Sequence, residues 1–90
     1  MEVEDVLSQA VKDILNAKKT LVDISDLPDN VKASLKLELE MAENAFTNAT
    51  LYEHLYWYQR KVVALEDAGY NVKHLLLTPD EIGKIIDETY

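Results

Sequence analysis

Six residues within nine positions hold the densest chemistry of this chain: Tyr52, His54, Tyr56, Trp57, Tyr58 and Arg60. On an α-helix successive side chains turn by about 100°, so Tyr56, Trp57 and Tyr58 cannot all enter one core, and aromatic surface must be left outside. Tyr58 falls on the apolar seam of the segment. Tyr52 and Tyr56 share an adjacent face at a spacing of four, and Trp57 lies away from both with Arg60 one turn further on. Aromatic residues and Arg are the types enriched at binding hot spots, because they bury much area at little rotamer cost and keep a polar tip. Tyr52, Tyr56, Trp57 and Arg60 are therefore expected to form a contact surface for a protein partner. The competing expectation is that their helix is central and wrapped on most sides by its neighbours. Leu37 and Met41, four apart on the preceding segment, add a second apolar patch to the partner-binding candidates.

Other chemistries find little support. A nucleophile would have to come from Ser8, Ser25, Ser34, a Thr, a Tyr or a Lys, with His54 or His74 as base, and no spacing nominates a set. There is no cysteine, which excludes disulfides, thiolate metal sites and a thiol nucleophile. Gly69 and Gly83 are the only glycines, so no phosphate-cradling loop exists. Neither histidine belongs to the Glu-x-x-His pair of a di-iron bundle, and Glu40 with Glu43 reads as solvated charge. No catalysis, cofactor or metal is expected.

A net charge of −8 repels a phosphate backbone, so direct nucleic-acid binding is not expected. The segment Leu77 to Ile86 looks like the first half of a helix-turn-helix, but no recognition helix and no basic cluster accompany it. No run of 18 apolar residues is present, and Met1 to Asp5 is acidic where a signal peptide needs a basic region. A cytoplasmic chain that does not enter a membrane is the expectation, in which Asn48-Ala49-Thr50 is a chance glycosylation match.

The elements that position these residues all read as helices. From about Val3 to Val22, apolar residues at Val3, Leu7, Ala10, Ile14, Ala17 and Leu21 are spaced 4, 3, 4, 3, 4, with Val6, Val11, Leu15 and Val22 widening the stripe. Lys18 and Lys19 near its end suit the helix macrodipole. Asp23 to Asn30 reads as a turn, with Pro28 as the first residue of a second helix reaching Phe46. Its core face is Val31, Leu35, Leu39, Ala42 and Phe46. The alternation from Leu35 to Glu40 resembles a strand, but Leu, Lys and Glu are strong helix formers, which favours helix.

Thr47 to Thr50 can break this helix and cap the next, although one continuous helix is the alternative. A third helix from about Leu51 to Ala68 carries the seam Leu51, Leu55, Tyr58, Val62 and Leu65, and Gly69 ends it. Val72 to Leu77 reads as irregular or as one helical turn. Thr78-Pro79-Asp80-Glu81 is a capping box that starts a last helix with Ile82, Ile85 and Ile86 facing inward.

The expected fold is all-α, one domain over residues 1–90: a small antiparallel bundle of three long helices with a short C-terminal helix across one end. At this length a core is small, so a partner or a second copy would add to its stability. The expected role is a non-catalytic protein interaction or assembly module, with a homo-oligomer as one form of it. An alternative is an acidic inhibitor of the phage or mobile-element kind that occludes the nucleic-acid site of a basic protein. It is motivated by Asp23, Asp26 and Asp29 and by Glu38, Glu40 and Glu43. A third is an accessory subunit of an enzyme whose catalytic residues lie on another chain.

Overall fold

The computed structural model describes residues 8–88, so Val3, Val6 and Leu7 of the first stripe lie outside the described residues. Among the described residues the fold is all-α, without a strand. Helix α1 spans Gln9–Ile24, α2 Asp29–Glu43, α3 Asn48–Asp67 and α4 Pro79–Glu88, with one 3-10 turn, Lys73–Leu75, in the link before α4.

Helix ends follow local side-chain chemistry. Ser8 Oγ accepts from the Val11 N–H at 3.3 Å and opens α1. Thr47 Oγ1 accepts from the Thr50 N–H at 3.1 Å, so α2 and α3 are separate helices and α3 begins three residues before the expected Leu51. Pro28 stands just outside α2, at the cap, where its carbonyl accepts from Val31 and Lys32, both at 3.0 Å. Thr78 and Glu81 form the expected capping box: the Thr78 N–H donates to Glu81 Oε1 at 2.9 Å and the Glu81 N–H to Thr78 Oγ1 at 3.1 Å.

At the end of α3, Gly69 takes φ +101° while Tyr70 N–H returns to the Leu65 carbonyl and Gly69 N–H to Glu66. A Cβ on Gly69 would meet nothing within 4 Å, so only the left-handed backbone resists a side chain there. Gly69→Ala should cost about 1–2 kcal/mol in a urea unfolding titration. A neutral result would mean that the turn relaxes.

Three sequence expectations are corrected by packing. The buried row of α1 is Val11, Leu15, Lys18 and Val22, one residue beyond the predicted seam, while Ala10, Ile14 and Leu21 flank it and Ala17 is exposed. Both rows have 3-4 spacing, and which one faces inward depends on neighbours that α1 does not encode. Phe46 is 89% exposed, because α2 ends at Glu43 and residue 46 lies in the loop beyond the helical row. Of the three α4 isoleucines only Ile85 is buried. On α3, Leu51, Leu55, Tyr58 and Val62 are buried as their spacing predicts.

The chain order is α1 against α2 and α2 against α3, but α1 and α3 nowhere bring their Cα atoms within 8 Å. The link fills the gap between them, burying Val72, Leu75 and Leu77, and the short C-terminal α4 then packs against α1. A buried link must satisfy its backbone polar groups, and side chains of α1 and α3 do this. Tyr58 Oη donates to the Leu75 carbonyl at 2.6 Å, and Lys18 Nζ to the Leu76 carbonyl at 3.0 Å. Gln59 takes both groups of Leu77, accepting from its N–H at 2.8 Å and donating to its carbonyl at 3.3 Å. Burial, followed by the charge of Glu81, raises the Tyr58 phenol well above its ordinary value of 10.0, so it remains a donor.

Candidate functional site

The Cα atoms of α3 and α4, like those of α1 and α3, nowhere come within 8 Å. Between them runs an apolar cleft of about 210 Å³. Tyr52, Leu55 and Tyr56 line it from α3, and Ile82, Ile85 and Ile86 from α4. Gln59 and Leu77 complete the lining, which holds no charged residue. Leu55 and Ile85 are buried, whereas Tyr52, Tyr56, Ile82 and Ile86 are exposed. Apolar surface of this kind, gathered in a concavity, is typical of contact sites and unlike scattered single exposures.

The six sequence candidates do not fall on one surface. Tyr52 and Tyr56 line the cleft. Trp57, exposed, touches the Tyr56 ring edge to face, with centroids 5.4 Å apart and an interplanar angle of 77°. Arg60, one turn on from both, is exposed outside the lining. Leu37 and Met41 are exposed on α2. Ile82, Ile86, Gln59 and Leu77 were not nominated. Ile82 and Ile86 share the apolar face of α4 with the buried Ile85, and no spacing within α4 tells which of the three meets a neighbour.

A polar cluster joins α2 to α3. Glu38 Oε2 lies 2.8 Å from His54 Nδ1, Glu38 Oε1 lies 3.1 Å from Lys61 Nζ, and Lys61 Nζ also donates to Ser34 Oγ at 2.9 Å. Ser beside Lys could suggest a nucleophile and its base, but Lys61 Nζ donates to both Ser34 Oγ and Glu38 Oε1, so its bonds run the wrong way for a base. The cluster therefore clips two helices together. Burial pushes the Glu38 carboxyl up, but hydrogen bonds from His54 and Lys61 and then their charges outweigh it, leaving the group below its ordinary 4.5. A depressed folded-state pKa contributes stability that is present above the unfolded value and is lost as pH falls through the folded one. Stability should thus decline below about pH 4.5, and Glu38→Gln should flatten that decline. Urea midpoints taken from neutral pH down to acid would show it, and an unchanged acid slope in the variant would contradict it.

A polar hollow of about 550 Å³ lies where the α1–α2 turn meets the turn after α3, with Asp26, Tyr70 and His74 in its lining. Ser25, beside them, donates its hydroxyl to the Val22 carbonyl, so no nucleophile and base are paired there. Among the described residues no three His, Asp or Glu side chains gather as a metal ion would need, and no helix is long and apolar enough to cross a membrane. Comparisons with family models, curated proteins and solved structures find no match for the chain.

Proposed function

We propose that this protein is a small acidic helical interaction or assembly module, without catalysis of its own, that binds a polypeptide in the cleft between α3 and α4. The observation that carries this is the uncharged lining of the cleft together with the exposure of Tyr52, Tyr56, Ile82 and Ile86 around it. In a chain with net charge −8, an uncharged concave strip is where desolvation on binding costs least. Side chains from a partner helix or loop would find apolar walls there and no buried charge to neutralise.

The reading as an acidic inhibitor of a basic protein is less well supported. Of the six carboxylates that motivate it, three are engaged within the chain: Asp23 with Lys36 at 2.6 Å, Glu43 with Lys19, and Glu38 with His54 and Lys61. Pairing lowers the field that a basic partner would meet.

Affinity capture from the native source, followed by reconstitution with purified components, tests the cleft. Tyr56→Glu and Ile82→Asp should each weaken the reconstituted complex by at least about tenfold, with little dependence on salt. A partner bound equally by both variants, and lost as salt rises, would transfer support to the acidic reading.

A further inference from the structure

Gln59 of α3 holds both backbone groups of Leu77, and Lys18 of α1 holds the Leu76 carbonyl, so the link is anchored to the other helices as far as Leu77. Beyond that point the attachments thin out. Of the ten residues of α4 only Ile85 is buried, whereas α3 buries Leu51, Leu55, Tyr58 and Val62. Among the described residues α4 brings its Cα atoms within 8 Å of α1 and of no other helix. We propose that α4 is a hinged arm, which undocks from α1 as a unit about Thr78 while α1, α2, α3 and the link stay folded, and that the Lys18–Glu81 pair is the latch that holds it closed. The arm carries Ile82, Ile85 and Ile86, so its release removes one wall of the cleft and exposes Ile85. The inference concerns the fold and stands apart from what the cleft binds.

Contiguous segments with few buried apolar contacts open at a lower free energy than the core they rest on. The boundary of this segment is set by side chains. The clamp from Gln59 ends at Leu77, and Pro79, two residues on, has no N–H with which to tie the chain down. Length makes the opening cooperative. At ten residues α4 is shorter than the roughly 12–15 at which an isolated helix is even marginal in water, so it loses its helix when it leaves α1.

The latch is one oxygen with two duties. Glu81 Oε1 accepts from the Thr78 N–H at 2.9 Å, which caps α4, and from Lys18 Nζ at 2.9 Å, which docks it. Lys18 is 5% exposed, so its ammonium is shielded from the solvent screening that weakens surface ion pairs. Its bond to the Leu76 carbonyl, at 3.0 Å, does not require α4. The buried ammonium thus keeps a partner while the arm is open, and Glu81 passes to water, which makes the open state accessible without unfolding the rest.

Amide hydrogen exchange of the full chain, read by NMR at rising but sub-denaturing urea, tests this. The Ile85 and Ile86 amides should exchange through an opening at least about a hundredfold more populated than the one that releases Leu55 and Tyr58, with a shallower dependence on urea because less surface is exposed. Glu81→Gln keeps the capping box, in which Gln serves as Glu does, and removes the charge of the latch. It should make the α4 opening at least about tenfold more populated. Ile85→Asp should go further, giving random-coil shifts over residues 79–88 and native shifts at Leu51, Leu55 and Val62. Equal protection and equal urea dependence in α4 and α3 would overturn the arm, as would α4 amides without protection in the wild type or an Ile85→Asp chain unfolded throughout. Unchanged α4 exchange in Glu81→Gln would overturn the latch.

Discussion

Tyr58→Ala should remove about 3–5 kcal/mol of folding stability, the loss expected for truncating a fully buried aromatic side chain. A domain of this size has only about 5–15 kcal/mol in total, so the variant should be partly unfolded or close to it. Tyr58 is fully buried on α3, and its hydroxyl holds the Leu75 carbonyl of the link at 2.6 Å. Tyr58→Phe divides these contributions. It keeps the ring and leaves that carbonyl without its partner, at a cost of about 1–2 kcal/mol. Urea titrations of both variants measure the two parts. If Tyr58→Phe were as costly as Tyr58→Ala, the hydroxyl and not the ring would dominate, and the link would be held mainly by its hydrogen bonds.

Lys18→Ala should cost about 2–4 kcal/mol, more than any other lysine in the described chain. Lys18 is 5% exposed at the centre of the α1 core row. Its ammonium reaches the Leu76 carbonyl at 3.0 Å and Glu81 Oε1 at 2.9 Å, so one group ties α1 to both the link and α4. Removing it takes the side-chain donor from the Leu76 carbonyl and leaves Glu81 Oε1 with the Thr78 N–H alone of its two partners here. Lys18→Met retains the packing of the stem but not the charge, and should recover part of the loss. Lys19, the next residue, is the internal control: it pairs with Glu43 at a more exposed position, and Lys19→Ala should cost at most about 1 kcal/mol. Equal effects at the two positions would mean that the Lys18 pair adds nothing beyond a surface ion pair.

The contrast between Lys18 and Lys19 shows where the sequence stops being informative. Side by side in the sequence they look equivalent, and both were expected to close the helix, but α1 runs on to Ile24 and neither lies in its last turn, so the macrodipole distinguishes neither. Only the arrival of the link and Glu81, more than fifty residues later, makes one of them a core residue. Signals contained within a few residues were legible: the Thr78 to Glu81 capping box, the Thr47 cap, the glycine at the end of α3 and the α3 seam all stand as their local chemistry predicts. The α1 row, Phe46 and the outward isoleucines were not, because each depends on a long-range neighbour or on the residue at which a helix stops. Half of the candidate surface was visible for the same reason. Tyr52 and Tyr56 are marked by type and spacing on one helix, whereas the opposite wall belongs to a helix whose position is set by the Gln59, Tyr58 and Lys18 bonds to the link.

The same bonds bear on the cleft, because Gln59 and Leu77, which they join, are part of its lining. Variants that loosen the link, such as Gln59→Ala, are therefore expected to disturb the cleft even though most of its lining is untouched.

The most direct measurement is an amide correlation spectrum of the isotope-labelled chain recorded as the captured and purified polypeptide partner is titrated in. If the cleft is the contact surface, the shifts on binding should concentrate at Tyr52 and Tyr56 and at Ile82 to Ile86. Shifts centred instead on Leu37 and Met41 of α2, or on the acidic turn around Asp26 and Asp29, would contradict it.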